Sequence, residues 1–490
     1  MNKGMICYTI SKILLVEAAL MTLPMLVALW YGESMEPFLI PILMLALAGL
    51  LLGACRPKRT ELYARDGLAV TALAWIFMSV FGAMPFYISG ATPSFIDGFF
   101  ETVSGFTTTG ATIFTEVEHL PRGLLFWRSF THWIGGMGVL VFVMAILPMT
   151  DGHGMHLLRA EVPGPSVGKL VSRMSDTAKI LYSIYFGLTM VEVCFLLAGG
   201  MPVYDSLIHA FGTAGTGGFS CRNLSIGAYQ SPYLEIVTGV FMLLFGVNFN
   251  LYYFLLIRRF REVFRSEELR AYLLIVAAAV VTIALNIQHL CQGFGESLRL
   301  AFFQVASVIT TTGYATADFN LWPTYSKSIL VVLMFVGACA GSTGGGMKVA
   351  RIVILAKTSL GDMRRILHPN AVSTVRFEDK PLPDKQIRSV HLFLTVFVLV
   401  YAASFLLLSL EGFDLVTTFT AVAACINNIG PGLEMVGPMG NFAAFSGLSK
   451  LLLAFDMLVG RLEIFPMLLL LAPSIWKQRR VDRRVPPVAL

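Results

Sequence analysis

Three threonines and a glycine stand together at 107–110, within "GFTTTGAT", and again at 310–313, within "VITTTGYAT", each time between apolar runs. Hydroxyl and backbone oxygens at such a turn can replace the water shell of a cation without a fixed negative charge. Glycine suits the turn because carbonyls that all point one way need backbone angles, positive φ among them, that a β-carbon disfavours. Threonine adds a hydroxyl and a stiff rotamer. A lone Thr-Thr-Thr-Gly is better read as a helix C-cap and turn, so the case for a site rests on repetition.

Phe99 and Phe302 each stand eleven residues before Gly110 and Gly313, opening "FFETVSGFTTTGAT" and "FFQVASVITTTGYAT". Leu207 and Phe419 stand eleven before Gly218 and Gly430, opening "LIHAFGTAGTGGFS" and "FTAVAACINNIGPG". Asp97 and Asp205 each precede their glycine by thirteen residues, which favours Gly218 over Gly217 as the equivalent. Four copies result, spaced by 108, 95 and 117 residues. The candidate oxygen donors are Thr108, Thr109 and Gly110; Thr216, Gly217 and Gly218; Thr311, Thr312 and Gly313; and Asn428, Ile429 and Gly430. No ring of acidic residues accompanies the turns, which argues against a calcium-type filter.

The elements that would carry these turns are membrane helices. A chain of 490 residues that is 56% hydrophobic and only 13% charged lies outside the range of water-soluble domains. Its apolar runs are continuous, about 18 to 25 residues long, and not the short alternating stretches of a β-barrel. Ten spans are expected, near 10–30, 38–55, 68–88, 133–149, 179–199, 233–257, 271–291, 327–356, 389–410 and 449–474. The first is expected to stay in the membrane, because no small-residue cleavage site follows it. Four apolar segments too short to cross, about 93–108, 202–215, 296–311 and 412–428, read as half-helices that enter and return. Their C-terminal, partly negative ends would face the turns and favour a cation.

Lys and Arg cluster in alternate connections, in "RPKR" at 56–59, "RRFREVFR" at 258–265, the stretch 348–388 and "KQRRVDRR" at 477–484. Placing these and both termini in the cytoplasm leaves only seven of the 36 basic residues elsewhere: Arg122, Arg128, Arg222, Arg299, Lys327, Lys450 and Arg461. The net charge of +6 therefore reports topology and contact with the lipid bilayer, not a nucleic-acid partner. The expected fold is an all-α integral membrane protein in which four pseudo-symmetric span, re-entrant pore helix, span repeats surround one central pore, with two extra N-terminal transmembrane helices. The divisions are 1–60 for the N-terminal pair, 61–150 for the first repeat, 151–260 for the second, 261–380 for the third with a broken second span, and 381–490 for the fourth.

The chain resembles the Trk/Ktr/HKT superfamily of potassium transporters, most closely its TrkH-type pore subunits. The resemblance runs through "SGFTTTGAT", "HWIGGMGVLVF" at 132–142, "TGGFS", "ITTTGYATADF", "GSTGGGMK" at 341–348, "INNIGPGL" at 426–433 and "GRLEIFP" at 460–466. It implies that the four filter glycines, with their neighbouring residues, hold K+, and that glycine at all four positions gives potassium preference. It implies an intramembrane gating loop at Gly341, Ser342, Thr343, Gly344, Gly345, Gly346 and Lys348, and a pore arginine, Arg461, beneath the filter. It further implies a homodimer, each chain with its own pore, bound by a cytoplasmic nucleotide-sensing regulatory ring protein of TrkA type, in a bacterial inner membrane. No cofactor is expected besides K+ as the transported ion.

Read on its own residues, the span at 327–356 is interrupted by "GSTGGG", and irregular backbone at membrane depth is tolerated only where protein or a watery cavity surrounds it. A phosphate-binding loop needs Gly-Lys-Ser/Thr adjacent, and Met347 intervenes, so a movable plug is the better reading. Arg461 lies eleven residues past Lys450, with Asp456 and Glu463 nearby; such a charge is costly and either functional or locally paired. His153 and His156 form a pair without a third metal ligand. The seven cysteines show no metal or disulfide framework, although Cys221 and Cys291 fall on one expected side. Trp30, Trp127, Trp322 and Trp476 read as interfacial anchors.

Two other classes of function compete with a channel-like pore. An alternating-access secondary transporter, coupling cation movement to protons or sodium, also uses a broken helix near the midplane, but its repeats are commonly inverted. These four share one orientation. A membrane enzyme lacks a metal-ligand set or a nucleophile–base constellation.

Overall fold

Only a helix satisfies every backbone group within a single apolar segment, so long greasy runs become helices in a bilayer. The computed structural model describes residues 2–54, 64–138, 174–369 and 374–473. Among them, six helices are long and apolar enough to cross a membrane: Lys3–Trp30, Glu36–Gly53, Arg65–Ile88, Asp176–Ala198, Glu267–Leu290 and Asp384–Glu411. A seventh span is a bent pair, Pro232–Phe245 and Phe249–Leu256, turned by 92° at its break.

Three of the ten expected spans are therefore not simple rods. The run at 233–257 bends at Gly246–Asn248. The run at 449–474 splits into Gly447–Arg461 and Phe465–Leu471, with Glu463 and Ile464 at positive φ between them. The run at 327–356 is broken as its polar insert implies, into Thr324–Val336 and Val349–Leu367. The run placed at 133–149 is served by a helix that starts earlier, at Arg122, and reaches Gly136. The part of that run beyond 138, the basic runs at 56–59 and 477–484, His153, His156 and Trp476 lie outside the described residues.

The four expected half-helices are Phe95–Phe106, Val203–Gly215, Phe294–Ile309 and Leu415–Ile426. Ser94 and Asp414 cap two of them by accepting from Asp97 N and Thr417 N at 3.2 and 2.9 Å. Each copy thus reads as an outer helix, a half-helix and an inner helix. The outer helices are Ala64–Gly82, Met174–Ala198, Glu267–Ile287 and Asp384–Leu408. The inner helices begin at Arg122, Pro232, Thr324 and Gly447.

Every half-helix packs between the inner helix of its own copy and that of the copy before. Phe95–Phe106, the first, packs against Gly447–Arg461, the last. The chain therefore closes on itself, and polar contacts mark the seams. Tyr204 donates to Arg122 O at 2.6 Å, Arg299 pairs with Glu235 at 3.3 Å, and Lys450 reaches Asp97 at 2.6 Å across 353 residues of sequence. The two N-terminal helices pack on each other and on the first copy. Glu33, in the turn between them, caps the inner helix by accepting from Arg122 N and Gly123 N at 2.6 and 2.9 Å.

Some smaller expectations change. Trp127 is fully buried, its Nε1 donating to Gly82 O at 3.0 Å, and Trp322 is buried as well, so neither is an interfacial anchor; Trp30 is exposed. Cys221 and Cys291 are both free. One departure from all-α structure is a hairpin pairing Arg376–Phe377 with Lys380–Pro381, whose turn residues Glu378 and Asp379 have φ of +52° and +60°.

Candidate functional site

All four half-helices end the same way. Two residues before each key glycine the backbone turns left-handed, at Thr108, Thr216, Thr311 and Asn428, with φ of +55°, +56°, +60° and +56°. One residue before it, the N–H of Thr109, Gly217, Thr312 or Ile429 reaches back five residues to Ser104 O, Gly212 O, Ser307 O or Ala424 O, each at 2.8 Å. The glycines follow with φ of +81°, +77°, +85° and +94°. Positive φ at a β-branched residue is a true outlier that persists only when its surroundings over-determine it, at roughly 1–3 kcal/mol each. Alternating left-handed residues turn successive carbonyls towards the same side.

The glycines are also where the copies meet. A β-carbon on Gly110 would overlap the carbonyl of Gly217, one on Gly218 that of Thr312, one on Gly313 that of Ile429, and one on Gly430 that of Thr109. Each glycine therefore nests on the carbonyl just before the key glycine of another copy, and the order runs one, two, three, four and back to one. Gly218, not Gly217, shares both the positive φ and this contact. The carbonyls of Thr109, Gly217, Thr312 and Ile429 thus lie against the glycines of neighbouring copies, and no room exists for a side chain at any of the four positions.

Copies one and three are near twins. In each, the threonine three before the glycine (Thr107, Thr310) donates back along its half-helix and bonds the threonine one before (Thr109, Thr312) at 2.8 Å. Copy two has Gly217 in place of that second threonine because the imidazole of His132 occupies the space. His132 is buried, its Nδ1 lies 2.7 Å from Gly105 O, and Phe219 N–H donates to its Nε2 at 3.3 Å, which assigns the proton to Nδ1. Copy four has Asn428, whose Nδ2 donates to Thr109 Oγ1 at 3.0 Å and to Met457 O at 2.9 Å. The imperfect copies are thus bonded to the first copy instead of being loose.

On the face formed by the glycines and the residues after them lies a vestibule of about 120 Å³, lined by Gly110, Gly218, Gly313 and Gly430 together with Arg222, Asn223 and the segment 436–442. Beside it, Glu101 and Arg128 form a buried pair at 2.6 Å. Glu101 also accepts from Thr112 Oγ1 and Ile113 N, each at 3.0 Å, which holds the segment leaving Gly110. Arg128 donates to Ser220 O at 3.2 Å and stacks over Phe219, 3.5 Å from the ring centroid, which holds the segment leaving Gly218. Nothing in the sequence alone marks His132 or this pair as part of the site. The signal available was an opposite-charge pair inside two apolar elements, which a membrane tolerates only when it is paired.

The opposite face, formed by residues two and three before the glycines, is covered by the break at 337–348. Gly345 N donates to Thr311 Oγ1 at 2.6 Å, and Gly346 N to Asn427 O at 3.1 Å. Gly337, Gly341, Gly346 and Lys348 all have positive φ. Ser342 Oγ bonds Cys339 O at 2.6 Å, Thr343 Oγ1 reaches Phe245 O at 3.2 Å, and Lys348 turns its ammonium onto Gly344 O of its own loop. Arg461, buried at the end of its inner helix, donates to Thr343 O at 2.7 Å and to Gly135 O and Gly136 O, each at 2.6 Å. The guanidinium therefore ties the break in copy three to the inner helix of copy one. Glu463 pairs with Arg351, and Asp456 accepts from Ser404 Oγ.

Backbone carbonyls offered by a ring of turns can replace the water shell of a cation without a protein charge. Among the described residues no three His, Cys, Asp or Glu side chains gather as a metal site. A family model described as a cation transport protein, TrkH, matches residues 34–478. The chain is 37% identical to the Trk system potassium uptake protein TrkH of Salmonella typhimurium over 476 residues, covering 96% of this chain and 98% of the relative. It is 36% identical to the Trk system potassium uptake protein TrkG of Escherichia coli over 462 residues, covering 93% and 94%. The crystal structure of the potassium transporter TrkH from Vibrio parahaemolyticus is similar with a TM-score of 0.87 at 33% identity, covering 97% of this chain and 100% of that one.

Proposed function

Because the chain belongs to the TrkH family of cation transport proteins, we propose that the ring of four turns is its potassium filter and the break at 337–348 its gate. The protein is a Trk-type pore subunit that takes up potassium, a multi-pass protein of a bacterial inner membrane. The observation that carries the filter reading is the cyclic nesting of Gly110, Gly218, Gly313 and Gly430 on the carbonyls of Gly217, Thr312, Ile429 and Thr109. Potassium entering the vestibule would exchange its water shell for those carbonyls and the adjacent threonine hydroxyls. The half-helix C-termini, all directed at the ring, add favourable dipole ends for a cation.

Below the filter the ion would meet a loop bonded to Thr311 and Asn427 and pinned by Arg461. Passage requires that loop to leave. Arg461 then has two effects in the same place: it holds the loop, and its charge repels a cation that has left the filter. Both termini are assigned to the cytoplasm by the placement of basic connections, and the protein works as a homodimer with a TrkA-type ring bound on that side. The test is purified protein in liposomes with defined gradients of potassium, sodium and protons. Potassium or rubidium flux that follows its own gradient is expected, and its absence under every gradient with the gate relieved would overturn the reading.

A further inference from the structure

The break at 337–348 is held at its neck as well as at its tip. Glu268, the second residue of the third outer helix and only 5% exposed, sets a single oxygen, Oε1, against two backbone N–H groups. Ala340 N lies at 2.6 Å and Ala350 N at 3.1 Å. These residues stand on the two sides of "GSTGGGMK", so one carboxylate ties the chain entering the loop to the chain leaving it. Ala350 is the second residue of the helix Val349–Leu367, where the N–H has no partner within its own helix and the dipole favours an anion. A hydrogen bond to an ionised acceptor is about twice as strong as a neutral one.

A second layer fixes the carboxylate from the other side. Ser266 Oγ and Glu268 N both donate to Glu378 Oε1, at 2.9 and 3.1 Å, at the tip of the two-stranded hairpin. Lys357, on the helix leaving the loop, pairs with Glu267 and donates to Arg376 O at 2.8 Å. A cavity of about 770 Å³ lies alongside, lined by Glu268, Ala340, Ala350 and Glu378 among others, so the neck has space to part.

We propose that Glu268 is a clasp that keeps the gating loop closed, and that the hairpin, through Glu378, sets the position of the clasp. The proposal rests on the reading of 337–348 as the gate, and the experiment separates the two. Full-length protein in liposomes is compared as wild type, Glu268→Ala, Glu268→Gln, Glu378→Ala and a variant lacking residues 342–345. Glu268→Ala raises potassium flux roughly ten-fold, the scale set by removing hydrogen bonds to a charged acceptor, with potassium-over-sodium selectivity unchanged. Glu268→Gln, which keeps a neutral acceptor, and Glu378→Ala give smaller rises. Amide exchange at Ala340 and Ala350 speeds up in Glu268→Ala, an effect that lost filter geometry would not confine to those two positions. If the loop deletion raises flux while Glu268→Ala leaves flux and exchange at wild-type levels, the clasp is wrong and the gate stands. If the deletion leaves flux unchanged, the gate reading falls and takes the clasp with it. Should Glu268→Ala not purify as a single species, amide exchange in Glu268→Gln decides between the same outcomes.

Discussion

At Gly110 the backbone has φ of +81° and no space separates its α-carbon from the Gly217 carbonyl. A β-carbon there costs roughly 1–2 kcal/mol for the left-handed conformation alone, and it must also push the neighbouring carbonyl out of the ring. Gly110→Ser therefore lowers potassium-over-sodium selectivity, read as a shifted reversal potential in mixed ions; an unmoved potential would refute the filter assignment. A second residue-scale prediction concerns Gly217 and His132, which share one space. Gly217→Thr, written to match copies one and three, should lower the thermal midpoint, and His132→Ala should recover part of the loss. The coupling expected between touching residues is about 0.5–3 kcal/mol. Strict additivity would show that the imidazole does not determine the glycine. The candidate glycines could be read from spacing, because a repeat in register needs no knowledge of contacts. The left-handed threonines could not, since nothing in Thr-Thr-Thr marks which one inverts.

The half-helices were legible as elements because an apolar run of about a dozen residues between polar turns is too short to cross a bilayer. The bends in the inner helices were legible only where a polar insert interrupts the run, as at 341–346. At 246–248 and 462–464 the sequence stays largely apolar or carries a single charge, and hydropathy averages across the break. The break at 462–464 delivers Arg461 to carbonyls of two other copies, Thr343 in the third and Gly135 and Gly136 in the first. Arg461→Ala should release the loop and remove the local positive charge, both of which raise potassium flux. Removing a charged donor from buried carbonyls is worth about 1.5–3 kcal/mol, a shift of roughly ten-fold or more in the open population. Flux and gating equal to wild type would sink the role given to this arginine.

For the whole molecule, the ring must close between parts of the chain 353 residues apart, and the Lys450–Asp97 pair at 2.6 Å lies on that seam with both side chains 9% exposed. Lys450→Met leaves a nearly buried carboxylate without its partner, at a cost of about 3–5 kcal/mol. The thermal midpoint in detergent should fall clearly, and less in Lys450→Met with Asp97→Leu. Equal losses in the single and double variants would mean that the pair does not hold the seam. The assembly beyond one chain is tested on the opposite face, where Arg364 and Arg365 lie exposed on the helix that follows the break at 337–348. Reversing both charges should abolish co-purification with a TrkA-type ring protein while leaving the filter intact, and retained binding would move the docking surface elsewhere.

By itself the sequence determined that this chain lives in a membrane, that its four copies share one orientation, and which glycine in each copy is equivalent. Those properties follow from local composition and period, which survive in a one-dimensional record. Tertiary structure decided that the copies form a closed ring, since closure depends on Gly430 meeting Thr109 and Lys450 meeting Asp97. It also decided why copies two and four depart from Thr-Thr-Thr-Gly. His132 occupies the place of a threonine side chain in one, and Asn428 reaches across to the first copy in the other. Substitutions that look like decay of a motif are fitted to neighbours distant in sequence, and such neighbours exist only once the chain is folded.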